Sequence, residues 1–139
     1  MIEIVTIQDR YILARASSKL TPEDYHLLDE TIKPRLTKHH TVRVQIEFRD
    51  FHGWTLPGVA AAIRFGLTDG KVIEKLAVVG EHKTEEALAW VVEVFGSTVV
   101  EFFGLDRAHD AWKWLHADEV GEYLSYASFG TVSPSKKGD

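Results

Sequence analysis

The chain has 139 residues, of which 45% are hydrophobic and 27% charged, with a net charge of −5 and no cysteine. That is the length of one domain with apolar mass for one core, and it removes disulfides, thiolate metal ligands and thiol nucleophiles. The acidic balance, with no basic cluster before Lys136 and Lys137, argues against a nucleic-acid partner, which needs a positive face to meet phosphates.

The opening MIEIVTIQDR lacks the basic start and apolar run of a leader. The most apolar helical stretch, LPGVAAAIRFGL, falls short of the roughly 20 residues of a membrane span and is interrupted by Arg64. The expectation is a cytoplasmic protein without a membrane span. Alternation in IEIVTI predicts a first strand, Asp9 and Arg10 a turn, and YILARAS the second strand of a hairpin. Thr21, Pro22 and Asp24 then read as N-cap, first helical position and acidic first turn. Tyr25, Leu28, Ile32 and Leu36 form one helical face, and Pro34 within it predicts a bend or an early end.

In TVRVQIEF, residues Val42, Val44, Ile46 and Phe48 face one way. The stretch EFRDFHGWTLPG closes that strand at Asp50 and turns into a helix from about 56 to 68. Val59, Ala60, Ala61, Ala62, Ile63, Phe65 and Leu67 leave this helix little polar face, which predicts burial on more than one side. EKLAVVG reads as a covered strand of a parallel sheet, and Ala87, Trp90, Val91, Val94 and Phe95 as a helical stripe. STVVEFF is a further strand. Ala108, Ala111, Trp112 and Leu115 mark the last helix, with Asp106 as its N-cap. Trp112 and Trp114 cannot both face inward, so one packs in the core and the other covers the tail or another subunit. The chain divides into a domain over 1–117 and an extension over 118–139. Tyr123, Tyr126 and Phe129 argue that part of the extension docks, while the polar end from Gly130 frays.

The order β-β-α-β-α-β-α-β-α defines an α/β protein: a mixed, mostly parallel sheet with an antiparallel strand from the opening hairpin. Ligands of such sheets bind beyond the carboxyl ends of the strands. The loops 50–55, 80–84 and 103–106 should therefore share one rim, with Trp54 at its mouth.

This order, with EFRDFHGWT leading into RFGL and then KLAVVGEHK, resembles the SpoIIAA-like proteins, bacterial relatives of the STAS domain of anti-sigma-factor antagonists. The resemblance covers roughly 1–117. It implies a (βα) superhelical sheet sandwich, similar in outline to CRAL-TRIO lipid-binding domains. Antagonists carry a phosphorylatable Ser or Thr in an Asp-Ser-type motif at the start of the second helix. Here that neighbourhood reads Asp50, Phe51, His52, Gly53, Trp54, Thr55. Thr55 is the only hydroxyl and reads as a helix cap, so the phosphorylation switch does not carry over, and a sigma-factor partner loses its support with it.

The candidate binding residues are Asp50, Phe51, His52, Gly53, Trp54, Thr55 and Pro57. Asp50 and His52, two apart in an extended segment, point the same way, so that a hydrogen bond between them could set the His tautomer. No partnered nucleophile accompanies them. The alternative is structural: Asp50 braces the turn, His52 bonds backbone and Gly53 supplies an unusual dihedral. Phe51 and Trp54 either line an apolar pocket, anchor a partner or pack in the core. The seven histidines show no metal-binding spacing; His39 and His40 read as solvated. The sequence calls for no cofactor and no metal. It points to a non-enzymatic regulatory or interaction module acting through a protein partner or as a homodimer. The alternative is a binder of a small apolar or lipid-like ligand beside the second helix.

Overall fold

The computed structural model describes residues 1–81 and 95–117. In chain order these form β1 (Ile2–Gln8), β2 (Tyr11–Leu20), α1 (Pro22–Ile32), β3 (Val42–Trp54), α2 (Leu56–Thr68), β4 (Ile73–Gly80), β5 (Val99–Gly104) and α3 (Ala108–His116). The expected stripe at Ala87, Trp90, Val91 and Val94, loop residues 82–84 and the extension lie outside the described residues. The strands make one sheet in the order β1-β2-β3-β4-β5. β1 and β2 run antiparallel and the remaining pairs parallel, as the element order predicts.

α1 and α2 begin where the sequence provides a cap. The Asp24 carboxylate accepts from the backbone N–H of Thr21 at 2.8 Å and from that of Ile2 at 2.8 Å, tying the start of α1 to β1. Burial pushes this carboxyl up, but the donors at Thr21 and Ile2 outweigh it and hold it below the usual value. α1 ends at Ile32, and Pro34 sits in a 3₁₀ segment, Lys33–Thr37. Asp106, by contrast, does not cap α3: it lies in a 3₁₀ turn, Leu105–Arg107, and Arg107 takes the N-cap position without a side-chain bond.

The two faces of the sheet are built differently. On one, Ile12, Ala14, Ala16, Val42, Val44, Phe48 and Leu76 meet Leu28 and Ile32 of α1 and Phe65 of α2. On the other, Ala77, Val79 and Phe103 lie under Ala111 and Leu115 of α3, and four polar residues, Arg43, Gln45, Glu47 and Lys75, are also buried.

Arg43 donates through Nη1 to the carbonyls of Leu115 and Ala117, each at 2.9 Å. Lys75 donates through Nζ to those of Trp114 at 3.0 Å and Ala117 at 3.2 Å. The last carbonyls of a helix have no partner within it, and its negative end favours cations. These two buried side chains terminate α3. Arg43 also donates to Glu74 at 3.0 Å; burial pushes the Glu74 carboxyl up, but Arg43 outweighs it and holds it below its ordinary value.

Candidate functional site

β3 does not close at Asp50. It runs on to Trp54 by pairing with the end of β2, Ser18 opposite Phe51 and Leu20 opposite Trp54, through two register shifts. Ser18, Asp50 and Gly53 all adopt positive φ, at 57°, 53° and 93°. A strand passing through such residues bulges and twists. Asp50 in this conformation breaks the two-residue alternation that would align it with His52. Both side chains are exposed, and no hydrogen bond joins them among the described residues.

Phe51 and Trp54 pack inward. Phe51 meets Phe48 edge-on at 4.7 Å between centroids and Trp54 edge-on at 5.1 Å. The Trp54 indole N–H donates to the Tyr25 hydroxyl at 2.6 Å, and Tyr25 leans on Phe65 at 5.5 Å. Burial, chiefly, pushes the Tyr25 hydroxyl up to about 12. An aromatic run thus ties the end of β3 to α1 and α2. Both turn aromatics are half-buried against the core, so their main visible work is structural.

The junction into α2 is tight. Gly58 N–H donates to Thr55 Oγ1 at 3.0 Å, which makes Thr55 the expected cap. Thr55 N–H donates to the Leu20 carbonyl at 3.0 Å. A Cβ at Gly58 would run into that carbonyl oxygen, so only glycine lets α2 start this close to β2. Pro57 occupies the first turn of α2, where its missing donor costs nothing.

α2 departs from expectation. Only Gly58, Ala61, Ala62, Phe65 and Gly66 are buried. Leu56 is 88% exposed and Leu67 57%; Val59 and Ile63 are exposed as well, as is Ala60. The sheet and α1 cover one side of the helix, and its outer side keeps an apolar stripe that the described residues leave open.

The rim is only partly assembled. β3, β4 and β5 point the same way, and Gly80 lies level with Gly104. β3, however, pairs with β4 only as far as Glu47 opposite Val79. Its remainder, with residues 50–55, is carried beyond the other strand ends on the β2 side. Two grooves lie away from this turn. One, about 300 Å³, is lined by Ile7, Asp9, Pro34 and His39 among others; the other, about 250 Å³, lies between the opening hairpin and α3.

His39 is not simply solvated: its Nε2 lies 2.8 Å from Asp9 Oδ1. His116 stacks on Tyr11 at 3.8 Å. Among the described residues no cluster of three or more His, Asp or Glu could hold a metal ion, and no helix is long and apolar enough to cross a membrane.

The residues that sequence patterning missed are Arg43, Gln45, Glu47 and Lys75. Their signal was available. In a sheet covered on both faces, the polar alternates of a central strand are buried too and need partners.

The described residues thus form a mixed five-stranded α/β sheet with a hairpin edge and helices on both faces. The SpoIIAA-like family model matches residues 11–116, and the chain belongs to that family. Its fold is similar to the crystal structure of an uncharacterized protein of the DUF3478 family with a SpoIIAA-like fold from Shewanella loihica PV-4. The two share 27% identity with a TM-score of 0.65 over 83% of this chain and 92% of that one. A search of curated proteins finds no match.

Proposed function

We propose that this domain is a non-enzymatic protein-interaction module, that the outer face of α2 is its docking surface, and that a second copy of the chain is one occupant. The observation that carries this is the stripe of Leu56, Ala60, Ile63 and Leu67, exposed at successive spacings of four, three and four. Such a pattern is symmetric about its own middle. Two α2 helices packed antiparallel would set Leu56 against Leu67 and Ala60 against Ile63, as a two-fold interface requires. Turn 50–57 acts in this reading as the stiff mount for the stripe, its inward aromatics fixing where α2 begins. Asp50 and His52, exposed a few residues before α2 begins, are assigned polar rim contacts in this reading.

A helix of 13 residues is about 20 Å long. It offers a small interface of the transient class, so association should be weak and concentration-dependent. Light scattering over a concentration series tests it. The wild type should move toward twice its monomer mass, and Ile63→Glu should stay monomeric while remaining folded. A wild type that stays monomeric at its highest soluble concentration, and captures no partner that Ile63→Glu loses, would remove this reading. Binding of an apolar or lipid-like ligand instead would need an opening behind Trp54, whose indole is tied to Tyr25. Native mass spectrometry of protein taken from cells discriminates that alternative by a bound mass.

A further inference from the structure

We propose that the groove between the opening hairpin and α3 binds a small α-amino acid with an apolar side chain, its zwitterionic head held by Glu47, Arg15 and Arg49. This site lies across the sheet from α2 and stands whether or not α2 pairs with a second copy. The groove holds about 250 Å³ between Thr6 and Leu13 on the hairpin, Trp112 on α3, and Gln45 and Glu47 on its floor. That is below the roughly 300–1,000 Å³ of sites for drug-sized ligands, so its occupant is small. Leu13 and Trp112 give it an apolar wall.

The floor has acceptors to spare. Glu47 is 6% exposed and Gln45 1%. Gln45 Nε2 donates to the Ala108 carbonyl at 3.2 Å and to Glu47 Oε2 at 3.3 Å, which ties both side chains to the start of α3. That is the one hydrogen bond to the Glu47 carboxylate among the described residues, whereas a carboxylate has room for about four. Gln45 Oε1 is buried and meets no donor among them. Buried acceptors normally find donors, and a buried charge needs them most. The floor therefore calls for a donor, and the Glu47 charge favours an ammonium group.

The same cluster has donors to spare. Arg15 Nη2 and Arg49 Nε approach the other Glu47 oxygen, Oε1, at 3.6 and 3.5 Å, longer than a good hydrogen bond. These arginines lie two residues beyond Leu13 and Glu47, on β2 and β3 and on the same face. Their head groups thus border the groove at its Glu47 end, and both side chains are partly exposed. Two guanidiniums carry about ten N–H donors and here share one loose carboxylate contact. Arg15 Nε is buried and meets no acceptor among the described residues. Glu3, opposite Arg15 on β1, is exposed and makes no ion pair with it among those residues. Unfilled donors beside unfilled acceptors call for a ligand with both signs a few atoms apart. The head of an α-amino acid has them: ammonium toward Glu47, carboxylate toward the guanidiniums, whose planar forks match carboxylates. A purely anionic ligand would face Glu47, and a purely cationic one would face two arginines. The apolar side chain then lies between Leu13 and Trp112.

Titration of the full chain, followed by its amide and indole NMR signals, tests this with L-phenylalanine as the probe. 3-Phenylpropanoate keeps the ring and carboxylate but lacks the ammonium; phenethylamine lacks the carboxylate. Phenylalanine should give saturable shifts at Leu13, His109 and Trp112. It should bind at least ~10-fold more tightly than either analogue, since each analogue loses one charge-assisted contact. Arg49→Gln should weaken phenylalanine and 3-phenylpropanoate by a similar factor and leave phenethylamine unchanged. Arg15→Gln serves the same test if Arg49→Gln disturbs the fold, and Arg35→Gln, in the other groove, should change none of the three. No saturable shift at these residues, an analogue that binds as tightly as phenylalanine, or phenylalanine binding that the arginine variants leave intact would each overturn the proposal.

Discussion

The two faces of this sheet solve the same burial problem by different means. Toward α1 and α2, burial is apolar: Ile12, Val42, Val44, Leu76 and Phe65 interlock with no charge among them. Toward α3, the central strands bury Arg43, Gln45, Glu47 and Lys75. Two of these are offset by serving as the C-terminal cap of a helix. The difference shows that a charged residue inside an α/β domain need not mark a catalytic centre. Arg43 and Lys75 have a structural task that accounts for their positions, and they fix where α3 ends.

The sharpest way to break this comparison is at Arg43. Arg43→Ala leaves the Leu115 and Ala117 carbonyls short of a donor and Glu74 short of its main partner. It should cost on the order of 2–4 kcal/mol, from two carbonyls each losing a bond to a charged donor, read by urea denaturation. A cost within the range of an ordinary surface change would mean that α3 is held by Ala111 and Leu115 alone. On the apolar face the matching test is Gly58→Ala. The added methyl presses on the Leu20 carbonyl, and α2 must shift, at about 1–3 kcal/mol as for other overpacked sites. An unchanged midpoint would show that the β2–α2 junction has slack.

Trp54→Phe keeps an aromatic side chain but removes the donor to Tyr25 and the packing of the larger indole. The expected loss is about 1–3 kcal/mol, one hydrogen bond plus the buried surface that the smaller ring gives up, with the Tyr25 ring signals shifted in NMR. A loss several times larger would mean that the indole itself wedges the turn.

The smallest expected effect is pH-dependent. Asp69 follows the end of α2, and burial together with the neighbouring Asp29 carboxylate pushes it up to about 6. Because its folded value is raised, its stabilising contribution is complete below about 4, the unfolded value, and is lost as pH rises through about 6. Asp69→Asn should therefore match the wild type at pH 4 and exceed it in stability at pH 8. Asp24 and Glu74 are shifted the opposite way, and their contribution is lost on acidification instead. A variant no more stable than the wild type at pH 8 would count against the Asp29–Asp69 pairing.

Much of the fold was legible because its signals are local. Val42, Val44, Ile46 and Phe48 alternate, Thr55 caps a helix whose ends the pattern marks, and Pro34 ends α1 on cue. The end of β3 was not legible. Its course past Asp50 depends on a matching irregularity at Ser18, more than thirty residues earlier, and no local pattern carries that. The inward packing of Trp54 likewise hangs on Tyr25. α2 misled for a different reason: an all-round apolar helix predicts burial, but it cannot tell whether the second cover comes from its own chain or from a partner.

That last distinction is the centre of the account, and one measurement reaches it. In methyl NMR spectra recorded over a concentration series, the Ile63 signal on the outer face of α2 should shift steadily as protein concentration rises. The Ile12 signal, fully buried, should hold still. If Ile63 stays as constant as Ile12 at every concentration, the stripe is not a site of self-association and the dimer proposed here does not form.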